Sequence, residues 1–273
     1  MSHAPPALTD SLLEVDGRVA TLTLNRHDVR NELTGTRLSA EIVEVVDWIN
    51  AWEGISALIV TGAGSAFSAG GNVKHMLNRD HGSFAGDVYT VQNRYRQGIQ
   101  RMALAMHRLE VPAIAAVNGP AVGAGFDLAC MCDVRLGADT AKLGETFVNL
   151  GIIPGDGGGW LLQRLVGYQR AAEMTFSGRV LDAAEALAIG IFLEVTEPDA
   201  LLARARELAA GYAAKPPRTV RLTKRLLKSA QKMELAEYLE LCALMQGMCH
   251  ATDDHQEAVS AFLEKRPPSF LGR

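Results

Sequence analysis

Asp127 is a carboxylate in the first turn of an apolar helix-like stretch, among Phe126, Leu128, Ala129 and Met131. Just before it the chain sheds almost all of its side chains, in "VNGPAVGAG" from Val117 to Gly125. A second bare loop, "GAGSAFSAGG", runs from Gly62 to Gly71. A small-residue loop between a strand and a helix leaves backbone N–H groups uncovered, and the helix start adds partial positive charge. Two such loops side by side would offer two converging donors, the arrangement that holds an oxyanion, with a carboxylate nearby to move a proton. Close packing of helix on strand is the competing explanation, and the sequence does not prove that the loops adjoin.

The elements that must hold these loops are legible in the pattern. "ALIV" and "AIAAV" are short apolar strands, each running into one of the loops. Upstream, Asp16-Gly17 between two β-prone runs is a hairpin signal, with both residues expected at positive φ. Leu38, Ile42, Val45, Ile49 and Trp52 recur at three to four residues and predict an amphipathic helix. Residues from about Gly82 to Arg108 read as polar, helical and weakly anchored, a candidate flap over the site. "TAKLGETFVNLG" reads as a strand, "IIPGDGGGW" as a glycine-rich loop into a helix, "LDAAEALAIG" as a short helix with Asp182 at its start and Gly190 at its end, and "IFLEV" as a last strand. From about residue 198 to 263 nearly everything is helical. The expected organisation is an α/β core over 1–197 and an α-helical region over 198–273.

Composition narrows the function classes. The 273 residues are 48% hydrophobic and 21% charged, with a net charge of -4, which fits a globular protein and gives no global electrostatic case for nucleic acid. No run of about 18 apolar residues predicts a membrane span, and Met1 to Asp10 lacks the pattern of a secretory signal. The expectation is a soluble, cytoplasmic protein. The four cysteines make no disulfide framework, and Cys130 and Cys132 do not match a zinc spacing. No metal is expected, and His75 and His81 receive no role. The basic run Arg221, Lys224, Arg225, Lys228 and Lys232 reads as a solvated helix face. Gly62-Ala-Gly64 and Gly123-Ala-Gly125 both fail the dinucleotide fingerprint, because Phe67 and Leu128 stand where its third glycine belongs.

Almost the whole chain resembles the crotonase superfamily, the enoyl-CoA hydratase/isomerase family. The resemblance is carried in order by "VATLTLNRHDVRNELT", "ALIVTGAGSAFSAGGNVKHM", "VPAIAAVNGPAVGAGFDLACMCDVRLGA", "LGIIPGDGGGWLLQRLVGYQRAAEMTFSGRVLDAAEALAIGIFLEV" and "AFLEKRPPSF". It implies a ββα spiral core with a C-terminal helical trimerisation region, a homotrimer or dimer of trimers, and an acyl-CoA thioester as substrate, with coenzyme A entering as part of that substrate and no separate cofactor. By motif position the oxyanion donors are the N–H groups of Gly71 and Ala124. The CoA moiety falls to Arg30, to the loop residues Ala66, Ser68 and Ala69, and to Lys265 near the C-terminus, a lysine that often serves a neighbouring subunit, with Phe262 near the adenine.

The acids depart from the family pattern. Asp127 stands where hydratases carry their first glutamate, one methylene shorter. Phe147 stands at the second glutamate and moves no proton. Glu145 lies two residues earlier, on the same face if the segment is extended. Asp156 lies one position after an aspartate used by related isomerases and a dehalogenase, where this chain has Gly155; it either serves as an acid or caps the following helix. Asp127, Glu145 and Asp156 are the candidate catalytic residues. Hydration of a 2-enoyl-CoA to a 3-hydroxyacyl-CoA is the leading expectation, with double-bond isomerisation by one carboxylate or non-catalytic acyl-CoA binding as alternatives.

Overall fold

A computed structural model describes residues 4–78, 82 and 84–273; His81 lies outside them. Strand β1 (Ser11–Asp16) and strand β2 (Val19–Leu24) form an antiparallel hairpin. Asp16 pairs with Val19, so the turn residues are Gly17 and Arg18, and of the two only Gly17 has positive φ. The expected turn is thus displaced by one residue: the tight turn needs one glycine, and Asp16 remains in the ladder. Helix α1 (Leu38–Ala51) follows, burying Leu38, Ile42, Val45 and Ile49 as their spacing requires. Then come β3 (Ala57–Gly62), α2 (Val73–Asn78), α3 (Val88–Gln97), α4 (Ile99–Arg108), β4 (Ala113–Val117), β5 (Ala121–Val122), α5 (Ala124–Met131), β6 (Val134–Ala138) and β7 (Lys142–Gly144). After these lie α6 (Gly158–Val166), α7 (Tyr168–Ser177), β8 (Val180–Asp182), α8 (Ala183–Ala188) and β9 (Glu194–Thr196). Asp182 caps α8 by accepting from the Glu185 N–H, and Gly190 follows its end at φ 83°.

Among the described residues the main sheet has the order β1-β2-β3-β4-β6-β9, parallel beyond the first pair, and β5-β7-β8 form a second, smaller sheet. Central strands of a parallel sheet are covered on both faces and so read as continuous apolar runs. Leu58, Val60, Ala113, Ala115 and Val117 face the layer built on α1 and α4. Ala57, Ile59, Ile114 and Ala116 face α9 (Pro198–Ala213) through Leu201, Ala205 and Ala209. The remaining helices are α10 (Pro217–Ala230), α11 (Leu235–His250) and α12 (Asp253–Glu264).

Two expectations fail here. The segment read as a weakly anchored flap is divided: α3 buries nothing, but α4 buries Ile99, Met102, Ala105 and Met106 and packs on α1. The anchors are one-sided, so a charged exposed face masks them in the average composition. The basic face of α10 is not simply solvated either. Lys224 is buried, 2.6 Å from Asp133, and Arg221 donates to the carbonyls of Ile49, Trp52 and Ile55. Among the described residues no helix is long and apolar enough to cross a membrane.

Candidate functional site

The two bare loops adjoin. Ser68 pairs with Ala121 as an isolated parallel bridge, the Val122 N–H donates to the Ser68 carbonyl at 3.1 Å, and the Ser68 N–H donates to the Pro120 carbonyl at 3.2 Å. A Cβ on Gly125 would run into the Ser68 carbonyl, and a Cβ on Gly70 would lie 3.0 Å from the Ala124 nitrogen. Glycine at these positions is what lets one backbone reach the other. Gly70 also holds φ 74°, a conformation that glycine adopts without the cost a side chain would bring. Ala124 opens α5, so its N–H has no intrahelical acceptor.

Gly71 and Ala124 line one cavity of ≈ 410 Å³, together with Leu33, Met76, Phe84, Tyr95, Ile99, Phe147 and Asp156. Its wall is mainly apolar, and it carries one of the three candidate acids. Asp156 reaches it from the loop before α6. Asp127 and Glu145 are fully buried behind it. Gly158, the first residue of α6, fits between them: a Cβ there would overlap carboxylate oxygens of both Asp127 and Glu145. The three acids thus form a contiguous group with Asp127 next to both others.

All six oxygens of Asp127, Glu145 and Asp156 lack a donor when counted as carboxylates. Three buried like charges without donors are not stable together, so protons must be shared. Burial first, then the charges of Asp156 and Glu145, pushes Asp127 well above the usual carboxylate range. Burial likewise raises Glu145 to about 7, with the Asp156 charge adding to it and a hydrogen bond from Asp127 opposing it. Asp156 is raised by burial and partly restored by a hydrogen bond from Asp127. The directions agree on one picture: Asp127 keeps its single proton, and Glu145 and Asp156 are the two acceptors it is shared between.

The local geometry differs from two expectations. Glu145 and Phe147 do not share an extended strand. Strand β7 ends at Gly144, and residues Thr146–Leu150 form a 3₁₀ turn with Glu145 at its start. Glu145 is aimed inward by that turn, and Phe147 contributes an apolar wall. Asp156 does not cap α6. Gly157, at φ 116°, holds the cap position and no side chain bonds there; Asp156 lines the cavity with both carboxyl oxygens buried in its wall.

The proposed CoA residues are only partly assembled. Arg30 is exposed, and its carbonyl accepts from the Ala69 N–H at 2.9 Å, joining the two segments. The Ala66 carbonyl already accepts from Asn31, and the N–H, carbonyl and hydroxyl of Ser68 each have a partner within the chain. Phe262 is exposed, Lys265 ends α12, and neither lines the cavity. Sequence reasoning missed Gly158, Tyr95 and Arg94. The triple glycine before Trp160 was a signal for the first; nothing in a polar helix marked the others. The four cysteines are free, and burial pushes Cys130 and Cys132 up to about 12. Among the described residues no group of three or more His, Cys, Asp or Glu is placed to hold a metal ion.

Known proteins resemble this chain over nearly its whole length. Residues 14–273 match the enoyl-CoA hydratase/isomerase family. The chain is 33% identical to the crotonyl-CoA hydratase of Syntrophomonas wolfei, over 98% of this chain and 100% of that one. It is 34% identical to the short-chain-enoyl-CoA hydratase of Clostridium acetobutylicum, over 95% and 96%. The crystal structure of an enoyl-CoA hydratase from Bacillus anthracis superposes with a TM-score of 0.90 at 31% identity, covering 97% of this chain and all of that one.

Proposed function

From the premise that this chain belongs to the enoyl-CoA hydratase/isomerase family, we propose that it hydrates a 2-enoyl-CoA to a 3-hydroxyacyl-CoA. The observation that carries the reading is that Gly71, Ala124 and Asp156 line one cavity, with Asp127 and Glu145 buried next to Asp156. The thioester oxygen takes the two N–H groups. Water adds to the β-carbon and gives its proton to the Asp156 carboxyl group, and negative charge moves onto the thioester oxygen as the enolate forms; the carboxyl group then returns a proton to the α-carbon and the charge collapses. Fixed donors at the developing charge lower the barrier, each contributing about 3–4 kcal/mol where one has been removed in comparable sites. Asp156 is the acid or base that touches the reacting carbons. Asp127 and Glu145, shut off from the cavity behind it, hold the proton that Asp156 gives or receives.

The substrate brings its own coenzyme A, and the reaction needs no separate cofactor. Arg30 and the Ala66–Ala69 loop lie toward the CoA moiety, with Phe262 and Lys265 supplied by a neighbouring subunit. A homotrimer or dimer of trimers is part of the proposal. It is supported by α11, which exposes Leu235, Leu239, Leu244 and Met248 and buries only Met245. Residence in the cytoplasm is supported by four free cysteines.

The test is crotonyl-CoA with the purified protein in deuterated water, following the conjugated thioester absorbance and α-carbon deuterium. Loss of absorbance with one deuterium incorporated, abolished in Asp156→Asn, is the expected result. Persisting conjugation with deuterium exchange at the γ-carbon would replace hydration by isomerisation.

A further inference from the structure

The cavity has charged groups at its wall that are matched within the chain and others that are not. Asp10 and Arg37 both line it. Asp10 accepts from Arg26 and from the Arg37 N–H, and the Arg37 guanidinium pairs with Glu44 at 2.8 Å. Those charges are spoken for. Arg94 is not matched by any charge among the described residues. It lines the same cavity from α3, is half-buried, and donates one hydrogen bond to the Ala85 carbonyl. Among the described residues it has no carboxylate partner. A guanidinium carries five N–H donors, so most of its capacity is unused.

The position of Arg94 separates it from the acids. Its neighbour Tyr95 sets its ring against Gly155, and burial together with the Asp156 charge raises the Tyr95 hydroxyl. That turn of α3 therefore abuts the loop carrying the reactive acid. Yet no cation contributes to the state of Asp156, which burial raises and only Asp127 and its own backbone lower. Arg94 shares the cavity with Asp156 without neutralising it. It stands on the wall with Phe84 and Tyr95, while Arg30, Ala66, Ser68 and Ala69, assigned above to the CoA moiety, lie outside the lining. On that assignment Arg94 shares the cavity left to the acyl chain.

Resting on the acyl-CoA reading above, we infer that this cavity selects thioesters whose acyl chain ends in a carboxylate, which Arg94 receives. A half-buried guanidinium with donors to spare can take a planar carboxylate, which matches its fork in a bidentate pair. A neutral alkyl chain of equal length leaves that cation unpaired and gains only contact with Leu33, Phe84 and Ile99. Hydrogen bonds to charged groups contribute enough to separate the two chains by about 10–100-fold.

The experiment measures dissociation constants by calorimetry for two saturated thioesters, hexanedioyl-CoA and hexanoyl-CoA, on the full-length protein. Neither can be hydrated, so the readout does not depend on turnover. The wild type is expected to favour hexanedioyl-CoA at least tenfold, with the preference weakening as salt rises. Arg94→Met is expected to bring hexanedioyl-CoA down toward the hexanoyl-CoA value, and Arg94→Lys to keep part of the difference. Equal affinity in the wild type, or a preference that survives Arg94→Met, overturns the inference and leaves the acyl-CoA reading standing. Failure of both thioesters to bind overturns that reading, and the inference with it.

Discussion

Helix α4 has buried charge near each of its ends, and the two groups are built on opposite principles. Near its start, where Gly98 and Ile99 line the cavity, lie the carboxyls of Asp127, Glu145 and Asp156, with no donor for their six oxygens except a proton shared among themselves. At its far end lie Arg221, Lys224 and Lys228 of α10, and each has acceptors. Lys224 holds Asp133 and the Val111 carbonyl, both at 2.6 Å; Lys228 takes the His107 carbonyl at 2.6 Å; Arg221 takes three carbonyls at the end of α1 and just beyond it. Carbonyls at helix C-termini are left over by the helix itself and carry partial negative charge, so cations there stabilise the fold. Crowding still has an effect, since burial and then Lys224 lower Lys228 to about 8. The difference teaches which buried charges serve the scaffold. Matched ones tie helices together. Unmatched ones cost stability, and a chain keeps them where a proton must move.

Four changes sharpen that contrast. Asp156→Asn is expected to cut kcat by about 10²–10⁴-fold, the range for losing a positioned acid or base, while leaving the melting temperature unchanged or raised; steady-state hydration and a thermal melt check it together. Lys224→Met should do the reverse. It strands Asp133, and because that residue is a third exposed the loss is about 2–3 kcal/mol in a denaturant titration, below the range for a fully buried pair, with turnover intact. Gly158→Ala removes no acid but pushes a methyl group between Asp127 and Glu145. A loss of about 1–3 kcal/mol from overpacking is expected together with a fall in kcat of about tenfold or more; normal kinetics would show that the contact between the acids is dispensable.

The smallest effect is a pH dependence. Glu145 goes from 4.5 when unfolded to about 7 in the fold, so the fold favours its neutral form. The stability it contributes is fully present below about pH 4.5 and is lost as pH rises through about 7. Glu145→Gln is neutral at every pH. It should therefore match the wild type near pH 4 and exceed it by about 1–2 kcal/mol above pH 7. Parallel stability curves for the two proteins would place the shared proton elsewhere.

Much of the fold was legible because its pattern is local. The strands before each loop, the spacing of Leu38, Ile42, Val45 and Ile49, and the Asp182 cap depend on neighbours within a few residues. The carboxyl group was only half legible. Asp127 stood out as a charge in an apolar helix, and Asp156 as a charge among glycines. Glu145 was selected through an extended geometry that does not exist, and it reaches the site by a 3₁₀ turn instead. The basic run on α10 failed for the converse reason. Its acceptors, at Asp133, Val111, His107 and the end of α1, lie roughly 90 to 175 residues away in sequence, and a helical spacing of cations is the same whether it faces water or carbonyls.

The sequence by itself determined the two bare loops, the strands that feed them and the types of acid available, because glycine conformation and apolar periodicity act over a few bonds. The packing of the sheet and its helices decided that the loops touch, that Gly158 lets two acids meet, that Asp156 of the three lines the cavity, and that Arg94 shares it. Proton sharing and charge matching depend on distance and burial, and those are set by segments that meet only when the sheet and its helices have packed.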